Sequence, residues 1–124
     1  MIYLGLDYGT AKIGVALATG PLAEPLATFD TKSSIKKIKE LIVKLQIEKI
    51  IIGKPDKSLS FEFEKFVNLL NPDLIGSKLK IVDETLSSHD ARLALLHTTQ
   101  TRRKEKEHSV AAAIILQSWL DYHH

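Results

Sequence analysis

The first half of the chain alternates short apolar runs with turn residues, and this punctuation predicts its elements. Ile2-Tyr3-Leu4-Gly5-Leu6 has strand length and is followed at once by Asp7-Tyr8-Gly9-Thr10. Gly9-Thr10-Ala11-Lys12 predicts a tight turn into a second strand, Ile13 to Leu17. A Gly20-Pro21 turn leads to a third strand through Leu22-Ala23 and Leu26 to Phe29. Its expected break at Pro25 suits a sheet edge, because proline donates no ladder hydrogen bond. The period then changes. Ile35, Ile38, Leu41, Ile42 and Leu45 recur at helical spacing behind Ser33 or Ser34 as cap, with Lys36, Lys37, Lys39 and Lys44 mostly opposite.

Glu48 to Gly53 is a continuous apolar strand of the kind buried on both faces. A second helix starting at Ser58 or Ser60 carries Phe63, Phe66, Val67 and Leu70, and Leu79 to Asp83 forms a further strand. Ser87 or Ser88 caps a third helix with Ala91, Leu95 and Leu96 on its apolar side. Thr98 to Lys106 reads as a polar, basic loop, and a last helix runs from about Glu107 to Tyr122. The order β-β-β-α-β-α-β-α-α predicts an α/β domain over residues 1–122, with His123-His124 as a tail. Its mixed five-stranded sheet has helices on both faces and the first strand at the centre. Ligands in such sheets bind beyond the carboxyl ends of the parallel strands. Asp7, Lys54 to Asp56 and Glu84 all fall at those ends.

Composition narrows the field only a little. The 124 residues carry a formal charge of +2, which permits a nucleic-acid partner without arguing for one. Absence of cysteine excludes disulfides and thiolate metal sites. No apolar run approaches the ~20 residues needed to span a membrane, and Met1 leads directly into the first strand. A cytoplasmic protein without a membrane partner is expected.

Four segments together have a family likeness. LGLDYGTAKIGVAL resembles the first motif of the YqgF family, RNase H-fold proteins described as Holliday junction resolvases and as pre-16S rRNA processing nucleases. IIIGKP resembles that family's strand ending in Val-Gly-Leu-Pro, and VDETLSSHDA its Asp-Glu-Arg-Leu segment. KEHSVAAAIILQSWLD resembles its closing helix, and the four occur in the family's order. The resemblance implies metal-assisted phosphodiester hydrolysis on an RNase H-like fold. Asp7 and Glu84 would hold two Mg²⁺ or Mn²⁺ ions, hard cations that take oxygen ligands. Gly9 would let a phosphate backbone approach the turn closely. Lys12, Lys54, Arg102, Arg103, Lys104 and Lys106 would contact phosphates.

The departures from the family pattern bear on the chemistry. His108 stands where the family has a third carboxylate; imidazole ligates Mn²⁺ or Zn²⁺ but suits Mg²⁺ poorly. Ala111 and Ala112 share its helix face, small enough to let the helix press on the sheet near Asp7. Thr85 replaces an expected Arg, and Asp56 is a candidate substitute ligand. Each residue also has a plainer reading. Asp7 suits a turn, Glu84 the start of a helix, His108 a first helical turn, and the basic run a solvated loop. Trp119 reads as core. His89, His97, His123 and His124 form no zinc spacing.

Three functions remain at this level. A metal-dependent endonuclease on structured nucleic acid, either precursor ribosomal RNA or branched DNA, leads. A nucleic-acid-binding relative with weakened catalysis follows from His108 and Thr85. A phosphotransferase is the third, since LGLDYGT also resembles the phosphate hairpin of sugar kinases, which use two such domains where this chain has one. A monomer suits RNA processing, and a homodimer suits junction resolution.

Overall fold

The computed structural model describes residues 2–54, 60–70, 78–83 and 100–122. Its strands are β1 (Tyr3–Asp7), β2 (Lys12–Ala18), β3 (Ala23–Asp30), β4 (Lys49–Lys54) and β5 (Lys78–Asp83). Its helices are α1 (Thr31–Leu45), α2 (Ser60–Leu70) and α3 (Gln100–Tyr122). The sheet order is β3-β2-β1-β4-β5. β1, β2 and β3 pair antiparallel, whereas β4 lies parallel to β1 and β5 parallel to β4. The first strand is central, as the element order predicts.

Side-chain alternation divides the sheet into two interiors. Leu4 and Leu6 join Ile13, Val15, Ile50 and Ile52 beneath Ile38 and Ile42 of α1 and Phe63, Phe66 and Leu70 of α2. Ala16, Ala18 and Ile51 face the other way, against Ala112, Ile115, Leu116 and Trp119 of α3. Burial on both sides explains why Ile50, Ile51 and Ile52 form an unbroken apolar run, each fully buried.

The α3 face is lined by unusually small residues. A Cβ on Gly5 would lie 2.7 Å from Leu116 Cβ and 2.8 Å from the Ala112 carbonyl oxygen. A Cβ on Gly14 would overlap the backbone of α3 at His108 and Ser109. These two glycines let the helix backbone rest directly on the strands. The far half of α3 is fixed by Gln117. Its Oε1 accepts from the Ala23 amide at 2.8 Å, and its Nε2 donates to the Pro21 carbonyl at 2.9 Å, holding the β2–β3 turn. Tyr3 packs edge-on against Trp119, with ring centroids 5.7 Å apart, and Lys49 Nζ lies 4.9 Å from the Trp119 centroid. Trp119 is core, as expected.

Several boundaries differ from the sequence expectation, each for a physical reason. β3 continues through Pro25, which pairs opposite Ala16. The register shifts between Val15 and Ala16 and leaves Leu26 as an extra residue. An edge strand tolerates the missing N–H, and a bulge absorbs the irregularity. α1 begins at Thr31 rather than after Ser33 or Ser34, and Asp30 occupies the N-cap position without a side-chain cap bond. The two serines instead bond back to carbonyls within the first turn, Ser34 to Thr31 at 2.8 Å and Ser33 to Asp30 at 3.3 Å. Asp30 pairs across the strands with Lys12. α1 ends at Gln46, whose φ of 54° and ψ of 54° turn the chain toward β4.

The basic stretch expected as a loop is helical from Gln100 onward, so α3 starts about two turns earlier than Glu107. Gln, Arg, Lys and Glu are good helix formers, and the segment has no Gly or Pro. It lacks apolar residues, so no amphipathic signal marks it. The expected helix carrying Ala91, Leu95 and Leu96 lies outside the described residues.

Gly14→Ala is expected to lower the melting temperature by about 5–10 °C, since overpacking costs ~1–3 kcal/mol. Gly20→Ala, where a Cβ meets nothing within 4 Å, should leave it nearly unchanged. Thermal unfolding of both variants checks this. A second expectation concerns Asp30, whose carboxyl is held below its ordinary value of 3.8, first by the hydrogen bond from Lys12 and then by its charge. That contribution is present above the ordinary value and is lost as pH falls through the lowered one. Lys12→Gln should return Asp30 toward 3.8 in a carboxyl NMR titration, and the stability difference from wild type should disappear in strong acid.

Candidate functional site

Asp7 is the last residue of β1 and lies in register between Gly14 of β2 and Gly53 of β4. Alternation puts it on the same face as Gly5, beneath α3. Its neighbours in register carry no side chains, so α3 descends over it. His108 Nδ1 consequently comes to 3.3 Å from Asp7 Oδ2. A Cβ on Gly9 would lie 2.5 Å from the Lys12 carbonyl oxygen and 3.7 Å from His108 Cε1, so Gly9 completes the same small enclosure. Ala111 and Ala112 are buried beside His108, in keeping with the close approach expected from their size.

The turn between β1 and β2 is held from the opposite side by α1. Thr31 N–H donates to the Ala11 carbonyl at 3.0 Å, and its hydroxyl donates to the Gly9 carbonyl at 2.7 Å. Tyr8 points away from Asp7 into the α2 layer, its ring centroid 5.7 Å from that of Phe63 and 5.0 Å from that of Phe66. Burial, and secondarily the Glu62 carboxylate, push its phenol above the ordinary value, so Tyr8 stays neutral. Asp7 therefore sits on a turn anchored by helices from both layers.

Chemically, Asp7 is a buried carboxylate at the end of a strand. It is 7% exposed, and among the described residues its side-chain partner is His108. An ionised carboxylate offers about four lone-pair sites, and a buried charge is costly unless it is paired. An ionised Asp7 can only accept, so the hydrogen bond requires the proton on His108 Nδ1. A divalent cation fits this arrangement, since a carboxylate oxygen is its ordinary ligand. Among the described residues no three His, Cys, Asp or Glu side chains converge as a metal-binding group.

The other expected site residues divide into three groups. Glu84 and Asp56 lie outside the described residues; β5 ends at Asp83, the residue before Glu84. Lys54 closes β4, in register with Asp83. Arg102, Arg103, Lys104 and Lys106 belong to the first two turns of α3, N-terminal to His108. Lys12 is exposed but engaged with Asp30. Sequence reasoning missed Gly5, Gly14 and Thr31. An isolated glycine inside an apolar strand was the available signal for the first two, since it marks a close backbone approach.

Comparison with known proteins shows what the chain is similar to. A family model described as "RuvX: Holliday junction resolvase" matches residues 1–122. A Halothermothrix orenii protein named "Putative pre-16S rRNA nuclease" is 36% identical over 135 residues, covering 98% of this chain and 96% of its own length. Proteins of the same name from Clostridium acetobutylicum and Chlorobaculum tepidum are 34% and 32% identical. They cover 98% and 97% of this chain, and 98% and 93% of their own. Among solved structures, Thermus thermophilus RuvC in complex with a Holliday junction substrate superposes with a TM-score of 0.62. The fowlpox virus resolvase in complex with Holliday junction DNA superposes with a TM-score of 0.63. Each is 13% identical and covers 98% of this chain; the match spans 94% and 98% of those chains respectively. At that identity the likeness is one of fold, and it confirms the RNase H-like architecture expected from the motifs. With a family match along nearly its whole length and relatives above 30% identity, the chain belongs to the RuvX (YqgF) family.

Proposed function

We propose that the protein is a metal-dependent endonuclease that cuts structured nucleic acid, with precursor 16S ribosomal RNA as its substrate. The observation that carries this reading is the buried Asp7 carboxylate at the carboxyl end of β1, with His108 3.3 Å away and a glycine turn beside it. The names carried by relatives at 32–36% identity support the choice of RNA.

A divalent cation bound at Asp7 would polarise the scissile phosphate and lower the pKa of a water to near neutrality. The chain's own residues do the rest. Asp7 supplies the anionic oxygens that anchor the cation. Glu84, one residue beyond β5, supplies a second carboxylate, and Asp56, beyond β4, is a further ligand. His108 orients Asp7 through Nδ1–H and replaces the family's third carboxylate with a nitrogen donor. Gly9 leaves the turn without a side chain, so the phosphate backbone can come close. Lys12, Lys54, Arg102, Arg103, Lys104 and Lys106 hold phosphates on either side of the cut, without base specificity.

The imidazole makes Mn²⁺ the better-suited ion and Mg²⁺ the poorer one. Cleavage of an end-labelled precursor of the 16S terminus is the test, run beside a four-way DNA junction. Wild type should cut the RNA in Mn²⁺, more slowly in Mg²⁺, and not at all in EDTA. Asp7→Asn should lose roughly 10²-fold or more, the scale for removing a group that stabilises developing charge. His108→Asp should shift the preference toward Mg²⁺. Unchanged cutting by Asp7→Asn would remove the proposed centre, and faster cutting of the junction would make DNA the substrate.

A further inference from the structure

The outer face of α1 holds a concentration of charge that the site does not account for. α1 contains five lysines (32, 36, 37, 39 and 44) and one glutamate, Glu40, a net +4. The whole chain is +2, so everything outside α1 is net −2. The excess positive charge of this protein is therefore carried by one helix. An open groove of about 840 Å³ runs along that helix, lined among the described residues by four lysines (32, 36, 39 and 44), Glu40, Ser33, Ile35 and Val43.

The groove starts at the same end of the sheet as the site, on the face opposite Asp7 and His108. Thr31, which precedes Lys32, is bonded to the carbonyls of Gly9 and Ala11 in the turn beside Asp7. From there the lysines lead away along the outside of the molecule. Lys32 and Lys36 are one turn, or about 6 Å, apart, and Lys44 lies about 18 Å from Lys32 along the axis. The buried face of α1, Ile38 and Ile42, is already packed against the sheet. What remains outward is predominantly cationic, with Glu40 as its one acidic residue and Val43 as its one large exposed apolar residue.

We propose that this lysine face is an exosite for the phosphate backbone of one arm of the structured nucleic acid whose other part enters the Asp7 site. The proposal rests on the nuclease reading above and extends it. Charge complementarity selects the occupant. A polyanion with phosphates about 3.4 Å apart along each strand meets a row of flexible point charges, and each phosphate neutralised releases a counterion. A membrane surface does not fit, because the apolar side of the helix faces the core and, among the described residues, no aromatic side chain lines the groove. The exosite reads shape, since lysine–phosphate pairing carries no sequence information.

The experiment measures binding without cleavage. Fluorescence anisotropy of a labelled stem-loop RNA is followed in EDTA across a series of salt concentrations. It compares the full wild-type chain, the triple variant Lys32→Gln/Lys36→Gln/Lys44→Gln, and a control that removes exposed lysines elsewhere, Lys65→Gln/Lys80→Gln. The triple variant should bind about 10- to 100-fold more weakly near 0.1 M salt. Its log–log salt slope should be shallower by about 2–3, at roughly 0.9 for each phosphate that is no longer neutralised. The control should match wild type. A set of RNAs with progressively shortened arms adds a readout that needs no variant: wild-type affinity and salt slope should fall once the arm no longer reaches the groove. Wild-type binding with an unchanged slope in the triple variant, or without arm-length dependence, overturns the exosite and leaves the nuclease reading intact. If wild type neither binds nor cuts RNA or junction DNA, the nuclease reading fails first and the exosite with it.

Discussion

The close approach of α3 to the sheet is the contact on which the rest of the molecule depends. A helix ordinarily packs on neighbouring elements through side chains, at 8–10 Å between axes when its partner is another helix. Here Gly5 and Gly14 remove the side chains from two adjacent strands, and the alanines of α3 remove them from the helix. The gain is geometric. Beneath this approach the His108 imidazole comes to 3.3 Å from Asp7. The same approach explains the asymmetry of the two interiors. One face is built from isoleucine, leucine and phenylalanine, while the α3 face relies on alanine and glycine with Ile115, Leu116 and Trp119 supplying bulk.

The turn after Asp7 is secured by elements from both layers. Thr31 belongs to the α1 side, and His108 to the α3 side. Neither helix reaches the turn by accident of exposure. Thr31 is placed by the edge strand that feeds α1, and His108 by the glycine pair beneath it. A short loop between two strands is ordinarily among the more mobile parts of a fold. Two independent anchors, one from each layer, hold this one.

Much of this is legible from residues alone, and unevenly so. The order of elements, the central place of β1 and the edge position of β3 follow from apolar runs, turn residues and Pro25. Asp7 stands out because a carboxylate at the end of an apolar run is expensive without a purpose. The start of α3 is not legible, because residues 100–106 are polar all round and periodicity is silent there. The start of α1 is misplaced by residue type, since Ser33 and Ser34 are good caps, whereas tertiary bonds from Thr31 to the β1–β2 turn decide where the helix begins. Gln117 offers no signal at all. A glutamine in an amphipathic helix is unremarkable until its partners at Pro21 and Ala23 are known.

Asp7 and His108 are separated by 101 residues, most of the chain. Bringing such a distant pair together costs loop-closure entropy, which grows with the length of chain between them. During synthesis, Asp7 and its turn leave the ribosome well before α3. The paired centre is therefore absent from every nascent chain that lacks α3. A protein that acts on nucleic acid thus emerges with half of its candidate active centre withheld, and becomes complete only as that helix closes onto the two glycines.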